Sequence, residues 1–68
     1  MKTPEQIMRQ VTQQAMERHH ILSETKMAAA VGCGQGSIAK LLTETPVKLT
    51  QEQRFNLCTL ADVLNVVG

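Results

Sequence analysis

The sequence predicts an all-α domain of four or five short helices around one core, and three observations lead there. The apolar residues make up 43% of the 68 and are mostly Ala, Leu, Val, Ile and Met, with Phe55 the single aromatic. A sheet asks for more aromatic and β-branched residues in alternation, whereas this set suits helix packed on helix. Apolar positions recur at three- and four-residue spacing, and Ser/Thr cap signals precede the runs.

The first helix is expected from about Pro4 to His19. Thr3 caps it, Pro4 suits its first position and Gln6 completes a capping box. Ile7, Met8, Val11 and Ala15 form its apolar stripe. His20-Ile21-Leu22 is a connection in which Ile21 or Leu22 plugs the core. Ser23 caps a short second helix over 24–31, with Glu24 in its first turn, where a carboxylate suits the helix dipole. Gly32 ends it as a left-handed residue. Cys33 and Gly34 enter a third helix over about 35–43, which Thr45-Pro46 halts. Val47 to Leu49 is a loop or short extended piece. Thr50-Gln51-Glu52-Gln53 is a second capping box, opening a last helix to about Leu64. Phe55, Leu57, Leu60, Ala61 and Leu64 are the candidates for its buried face.

Composition bounds the function. The chain reads as one domain over residues 1–68, and a charged share of 19% beside 43% apolar residues excludes disorder. Cys33 and Cys58 stand in no metal-ligand pattern and are expected as buried free thiols, with one disulfide the alternative. No apolar signal-peptide core occurs in residues 1–20 and no run approaches a membrane span, so a cytosolic chain is expected. His19-His20 mark a helix C-terminus rather than a metal site. Met8, Met16 and Met27 read as core filler. The acidic residues are scattered and no nucleophile–base pairing can be argued, so no enzyme, cofactor or metal is expected.

One spacing carries chemistry: Ala28, Gly32, Ile38 and Leu41. Two helices joined by a three-to-four-residue turn approach closely, so the first presents a small residue, the turn takes positive φ, and the second points two apolar residues inward. That is the spacing expected of a helix-turn-helix, with a plain helical hairpin the alternative. Its outward face, Gln35, Gly36, Ala39, Lys40 and Thr43, is small, polar and cationic at one point. Gln pairs with adenine N6 and N7, Lys donates to guanine or phosphate, and free N–H groups at the helix start near Gly34 meet phosphate. Arg9, Arg18 and Arg54 read as ordinary surface charges, with Arg18 and Lys48 the further cations a phosphate could meet. A net charge of only +1 weighs against nucleic acid.

The run Val31-Gly32-Cys33-Gly34-Gln35-Gly36-Ser37-Ile38 resembles the turn and recognition helix of the phage lambda repressor and Cro family. Thr25-Lys26, Ala28, Gly32, Gln35, Ile38, Lys40 and Leu49-Thr50 fit the same family's pattern, and Leu60 to Val66 is similar to its closing helix. The likeness spans about residues 23–66. It implies a repressor-like domain that regulates transcription by binding double-stranded DNA, its helix 35–43 in the major groove of a palindromic operator. It implies a homodimer through the last helix and tail, for which Phe55, Val63, Val66 and Val67 are the apolar candidates. Carried over by position, Thr25 and Lys26 touch backbone, Gln35 touches a base, and Gly36, Ala39 and Lys40 face base or phosphate. With Gly34, Ser37 and Thr43 these make up the expected DNA-binding set. Two departures stand out: Glu24 occupies a place where the family often has a phosphate-binding Gln, and Gly36 offers no side chain. Both favour the alternative reading, a protein-interaction module of antitoxin or anti-regulator type that kept the fold without DNA.

Overall fold

The computed structural model describes residues 1–63. Helices α1 (Pro4–Arg18), α2 (Glu24–Val31), α3 (Gln35–Leu42) and α4 (Gln51–Ala61) follow in chain order, with no strand among the described residues. The all-α expectation holds, with four helices in the described part.

The helix starts follow the cap signals. Thr3 Oγ1 accepts the Gln6 amide at 3.2 Å while Gln6 Oε1 accepts the Thr3 amide at 3.0 Å. Thr50 and Gln53 make the same reciprocal pair at 3.1 and 3.0 Å. Each box satisfies two N–H groups that would otherwise lack partners. Ser23 caps α2 more loosely, its Oγ standing 3.5 Å from the Lys26 amide.

The helix ends share one device that the sequence betrays only once. Backbone N–H groups of Ile21, Cys33, Thr45 and Val63 donate to the carbonyls of Met16, Ala28, Lys40 and Cys58, at 2.9, 3.0, 2.9 and 3.0 Å. The preceding residues, His20, Gly32, Glu44 and Asp62, all have positive φ, at 53°, 89°, 57° and 59°. Each helix therefore closes in a left-handed turn with a six-to-one hydrogen bond. Glycine fills only one of the four positions, so three side chains sit in a conformation that L-residues disfavour.

Val11, Ala15, Met27, Ala28, Val31, Ile38, Leu41, Leu57, Cys58 and Ala61 form the core. α1 packs against α3 and α4, and α2 packs against the same two helices. Met8 and Met16 lie half-buried against this core, and Met27 lies fully inside it. Thr12 is buried as well, its hydroxyl satisfied by donating to the Met8 carbonyl at 2.7 Å. Ile21, not Leu22, is the plug: Ile21 packs on the core and Leu22 stays exposed.

Three expectations are corrected. α1 and α3 each stop one residue early, at Arg18 and Leu42. α4 stops at Ala61 because Asp62 turns left-handed; the expected end, Leu64, lies outside the described residues. Phe55 is not on the buried face of α4 but 69% exposed. Leu57, Cys58 and Ala61 set the inward direction, and Phe55 sits two residues, or about 200°, round the helix from Leu57.

These ends make opposite predictions. A Cβ on Gly32 would meet only Asn56 Nδ2, at 3.8 Å, so the obstacle to a side chain there is backbone conformation and not space. Gly32→Ala should lower the unfolding free energy by about 1 kcal/mol, and His20→Gly should raise it by about 0.5–1 kcal/mol. Urea unfolding followed by far-UV circular dichroism checks both, and equal signs for the two would contradict the left-handed ends.

Candidate nucleic-acid interface

The helix-turn-helix is α2, the turn Gly32–Gly34 and α3. Ala28 is 4% exposed and Val31, Ile38 and Leu41 are 1% exposed or less, so the inward half of the motif is closed. At about 100° per residue, burying Ile38 and Leu41 fixes how α3 is rotated. Gly36, Lys40 and Thr43 then lie opposite the core, with Ala39 beside them and Gln35 at the flank of the first turn. Gln35, Gly36, Lys40 and Thr43 are exposed, while Ala39 and Ser37 are half-exposed.

The centre of this face carries little side chain. Gly36 occupies it, and nothing lies within 4 Å of a Cβ built there or on Gly34. Thr43 caps the helix end and turns its hydroxyl back, donating to the Ala39 carbonyl at 2.9 Å and pairing with Thr45 Oγ1 at 3.0 Å. Gln35 and Lys40 are thus the two long polar side chains left on the ridge. The start of α3 is open: Gly34 offers no side-chain cap, and the Gln35 and Gly36 amides have no partner among the described residues. Such N–H groups with the positive end of the helix dipole favour an anion. Thr25 and Lys26 are exposed in the first turn of α2. Glu24, half-buried, stands in that same turn.

Other sequence candidates are engaged elsewhere. Arg9 Nη1 meets Glu44 Oε2 at 2.6 Å, tying α1 to the end of α3. Arg18 pairs with Asp62 at 3.5 Å, a solvated contact worth little. Cys33 is a half-buried free thiol whose pKa burial pushes up, with its backbone hydrogen bond pulling the other way; it is a poor nucleophile there. Cys58 is a free thiol in the core. His19 Nε2 donates to the Leu60 carbonyl at 2.9 Å, a structural tie between α1 and α4. Among the described residues no group of three His, Cys, Asp or Glu is placed to hold a metal, and no helix is long and apolar enough to cross a membrane.

Two residues that position the interface lay outside the sequence expectations. Asn56 Nδ2 donates to the Val31 carbonyl at 2.9 Å, and Gln53 Nε2 donates to the Gly32 carbonyl at 2.9 Å. These are the carbonyls of the last residue of α2 and of the left-handed residue that follows it, neither of which has a partner within the helix. Gln53 was legible only as half of a capping box. Asn56 carried a fainter signal: Asn is a poor residue for a helix interior unless its amide has a partner.

Known proteins supply no relative: no family model, no curated protein and no solved structure matches the chain.

The clamp and the open glycine can each be tested. Asn56→Ala should cost about 1–2 kcal/mol, and the near-isosteric Asn56→Asp at least as much, because its oxygen would face the Val31 oxygen. A silent Asp variant would reduce Asn56 to packing. Gly36→Ala, in open space on a helix, should add up to about 1 kcal/mol of stability in the same unfolding measurement.

Proposed function

We propose that the chain is a sequence-specific double-stranded DNA-binding protein that regulates transcription, with α3 as the helix that enters the major groove. The observation that carries the reading is the division of α3: Ile38 and Leu41 closed in the core, Gln35, Gly36, Lys40 and Thr43 bare. A helix braced from behind, with an open N-terminus and a thin outward ridge, suits a groove that admits one α-helix. Gln35 would face a base edge and Lys40 a base or phosphate. Gly36 and Ala39 would let the backbone come near, and Thr25, Lys26, Gly34 and Ser37 would meet backbone phosphate. This is the arrangement implied by the likeness to the lambda repressor and Cro family.

The same reading makes the protein a homodimer on a palindromic site. The domain measures 30 × 22 × 20 Å. Two recognition helices one turn of B-DNA apart, about 34 Å, must come from two copies. Val66 and Val67, named above as dimer candidates, lie outside the described residues. Val63 is half-buried and Phe55 exposed.

Charge favours the second reading, a protein-interaction module. Net charge is +1, and Arg9 and Arg18 are both paired with carboxylates. A gel shift against random duplex at low salt separates the two, since an interaction module should leave the duplex unshifted.

For the DNA reading, Lys40→Ala should weaken binding across sequences and reduce the salt slope by about one unit if Lys40 meets phosphate. Gln35→Ala should cost about 1–3 kcal/mol and relax a single base position. Fluorescence anisotropy over a salt series, on sites selected from a random duplex pool, measures both. Unchanged affinity in both variants would remove α3 from the interface.

A further inference from the structure

We propose that the cleft between the start of α1, the 45–49 segment and the start of α4 binds a free apolar amino acid, its carboxylate on Arg54, its ammonium on Glu5 and its side chain on the apolar lining. The site stands whether or not α3 meets DNA.

The cleft has a volume of about 240 Å³. Met8, Leu41, Val47 and Leu49 supply its apolar lining, and Glu5 and Arg54 its charges. The two charged groups share one hollow without pairing. Among the described residues the ion pairs are Arg9–Glu44 and Arg18–Asp62, so neither Glu5 nor Arg54 is matched by a neighbour. The helix dipole accounts for Glu5, which stands in the first turn of α1. It does not account for Arg54, the fourth residue of α4, where a cation lies near the positive end. Opposite charges held apart beside an apolar surface complement a molecule that carries both charges and an apolar body.

Size and rigidity narrow the class. An apolar cavity of about 150 Å³ holds benzene, and sites for drug-sized ligands begin at about 300 Å³. A cleft of about 240 Å³ lies between, which suits one branched or aromatic side chain with its α-carbon groups. Pro4 and Pro46 stand on the walls, and their fixed φ leaves that backbone less freedom to lose on binding. The guanidinium of Arg presents a fork of donors that meets a carboxylate in two places. A side chain from another protein would fit the volume but not the charges, because within a chain the α-amino and α-carboxyl groups are neutral amides. Leu41 joins the site to α3, since it is one of the two residues that turn that helix inward. None of Gln35, Gly36 or Lys40 lines the cleft, so an occupant leaves the outward ridge of α3 open.

Titration of the full chain with leucine and with phenylalanine, followed by proton–carbon NMR of the methyl groups, tests this without DNA. The methyls of Met8, Leu41, Val47 and Leu49 should shift and saturate with a dissociation constant of about 1 mM or below. The methyl of Ala39, on the outward side of α3, should stay in place. Arg54→Gln should raise the dissociation constant at least about tenfold, as loss of a hydrogen bond to a charged group does. Arg54 is exposed, so its helical content should not change. Glu5→Gln should weaken binding in the same direction. Glu52→Gln, in the same turn of α4 but outside the cleft, should bind as the wild type does. N-acetyl-leucinamide keeps the side chain and loses both charges, and it should leave the spectrum unmoved. No saturable shift with either amino acid overturns the proposal. So does a Glu52→Gln loss equal to that of Arg54→Gln, which would reduce the effect to net charge. A capped amide that binds as tightly as leucine overturns the amino acid and makes the cleft a seat for a partner's side chain.

Discussion

The structure turns on two carbonyls, those of Val31 at the end of α2 and of Gly32 just beyond it. Gly32, at φ 89°, stops that helix and lets the chain restart as α3 three residues later. A left-handed residue makes the turn available but does not hold it, because the last carbonyls of a helix face outward without partners. Asn56 and Gln53 supply those partners from α4. The turn is therefore pinned from behind by the same helix whose Leu57 and Ala61 enter the core. With the turn fixed, Ile38 and Leu41 have one way to face inward, and the direction of every other side chain of α3 follows.

The same logic runs through the rest of the domain. Gln14 Nε2 donates to the Ala61 carbonyl at 2.7 Å and His19 Nε2 to the Leu60 carbonyl at 2.9 Å, so α1 closes the end of α4. Arg9 reaches Glu44, the left-handed residue just beyond α3. Side chains from a neighbouring helix thus reach the C-terminal ends of α2, α3 and α4. A domain of this length buries too little apolar surface for the core alone to specify one arrangement. Polar ties at helix ends add modest energy each, but they fix angles and register, which a core of Ala, Val, Leu and Met does not.

What the sequence made legible follows from the range of the interactions. Thr3, Ser23 and Thr50 were readable as caps because a cap bonds within three residues of itself. Gly32 was readable because no other residue type enters the left-handed region so cheaply. His20, Glu44 and Asp62 take the same conformation without announcing it, since in their case the six-to-one bond and the packing of the next segment impose it. Phe55 misled for a related reason. Hydrophobicity argued for burial, but α4 has apolar residues at 55, 57, 58, 60 and 61, nearly all round, and only the position of α1 and α2 decides which of them face in. The clamp by Asn56 and Gln53 spans 25 and 21 residues, beyond the reach of any local pattern. On the outward face of α3 the exposure of Gln35, Gly36, Lys40 and Thr43 follows from the burial of Ile38 and Leu41, which the spacing predicts. That Thr43 spends its hydroxyl on its own helix does not follow from that spacing.

The charge distribution constrains how such a domain would work on DNA. Two of its seven cations are held by carboxylates, and two others, Lys26 and Lys40, stand on the helix-turn-helix. Each phosphate neutralised changes the salt slope by about one unit, so a single copy would make a shallow, weak electrostatic encounter. Affinity would then have to come from shape and from pairing. The thin ridge around Gly36 supplies the first, because close approach of backbone and open N–H groups needs no long cation. Two copies on one site supply the second: once one is bound, the other meets its half-site at an effective concentration that linkage sets, without any new contact. On the proposed reading, the fewer phosphates each copy could grip, the more its occupancy of a site would depend on a second copy.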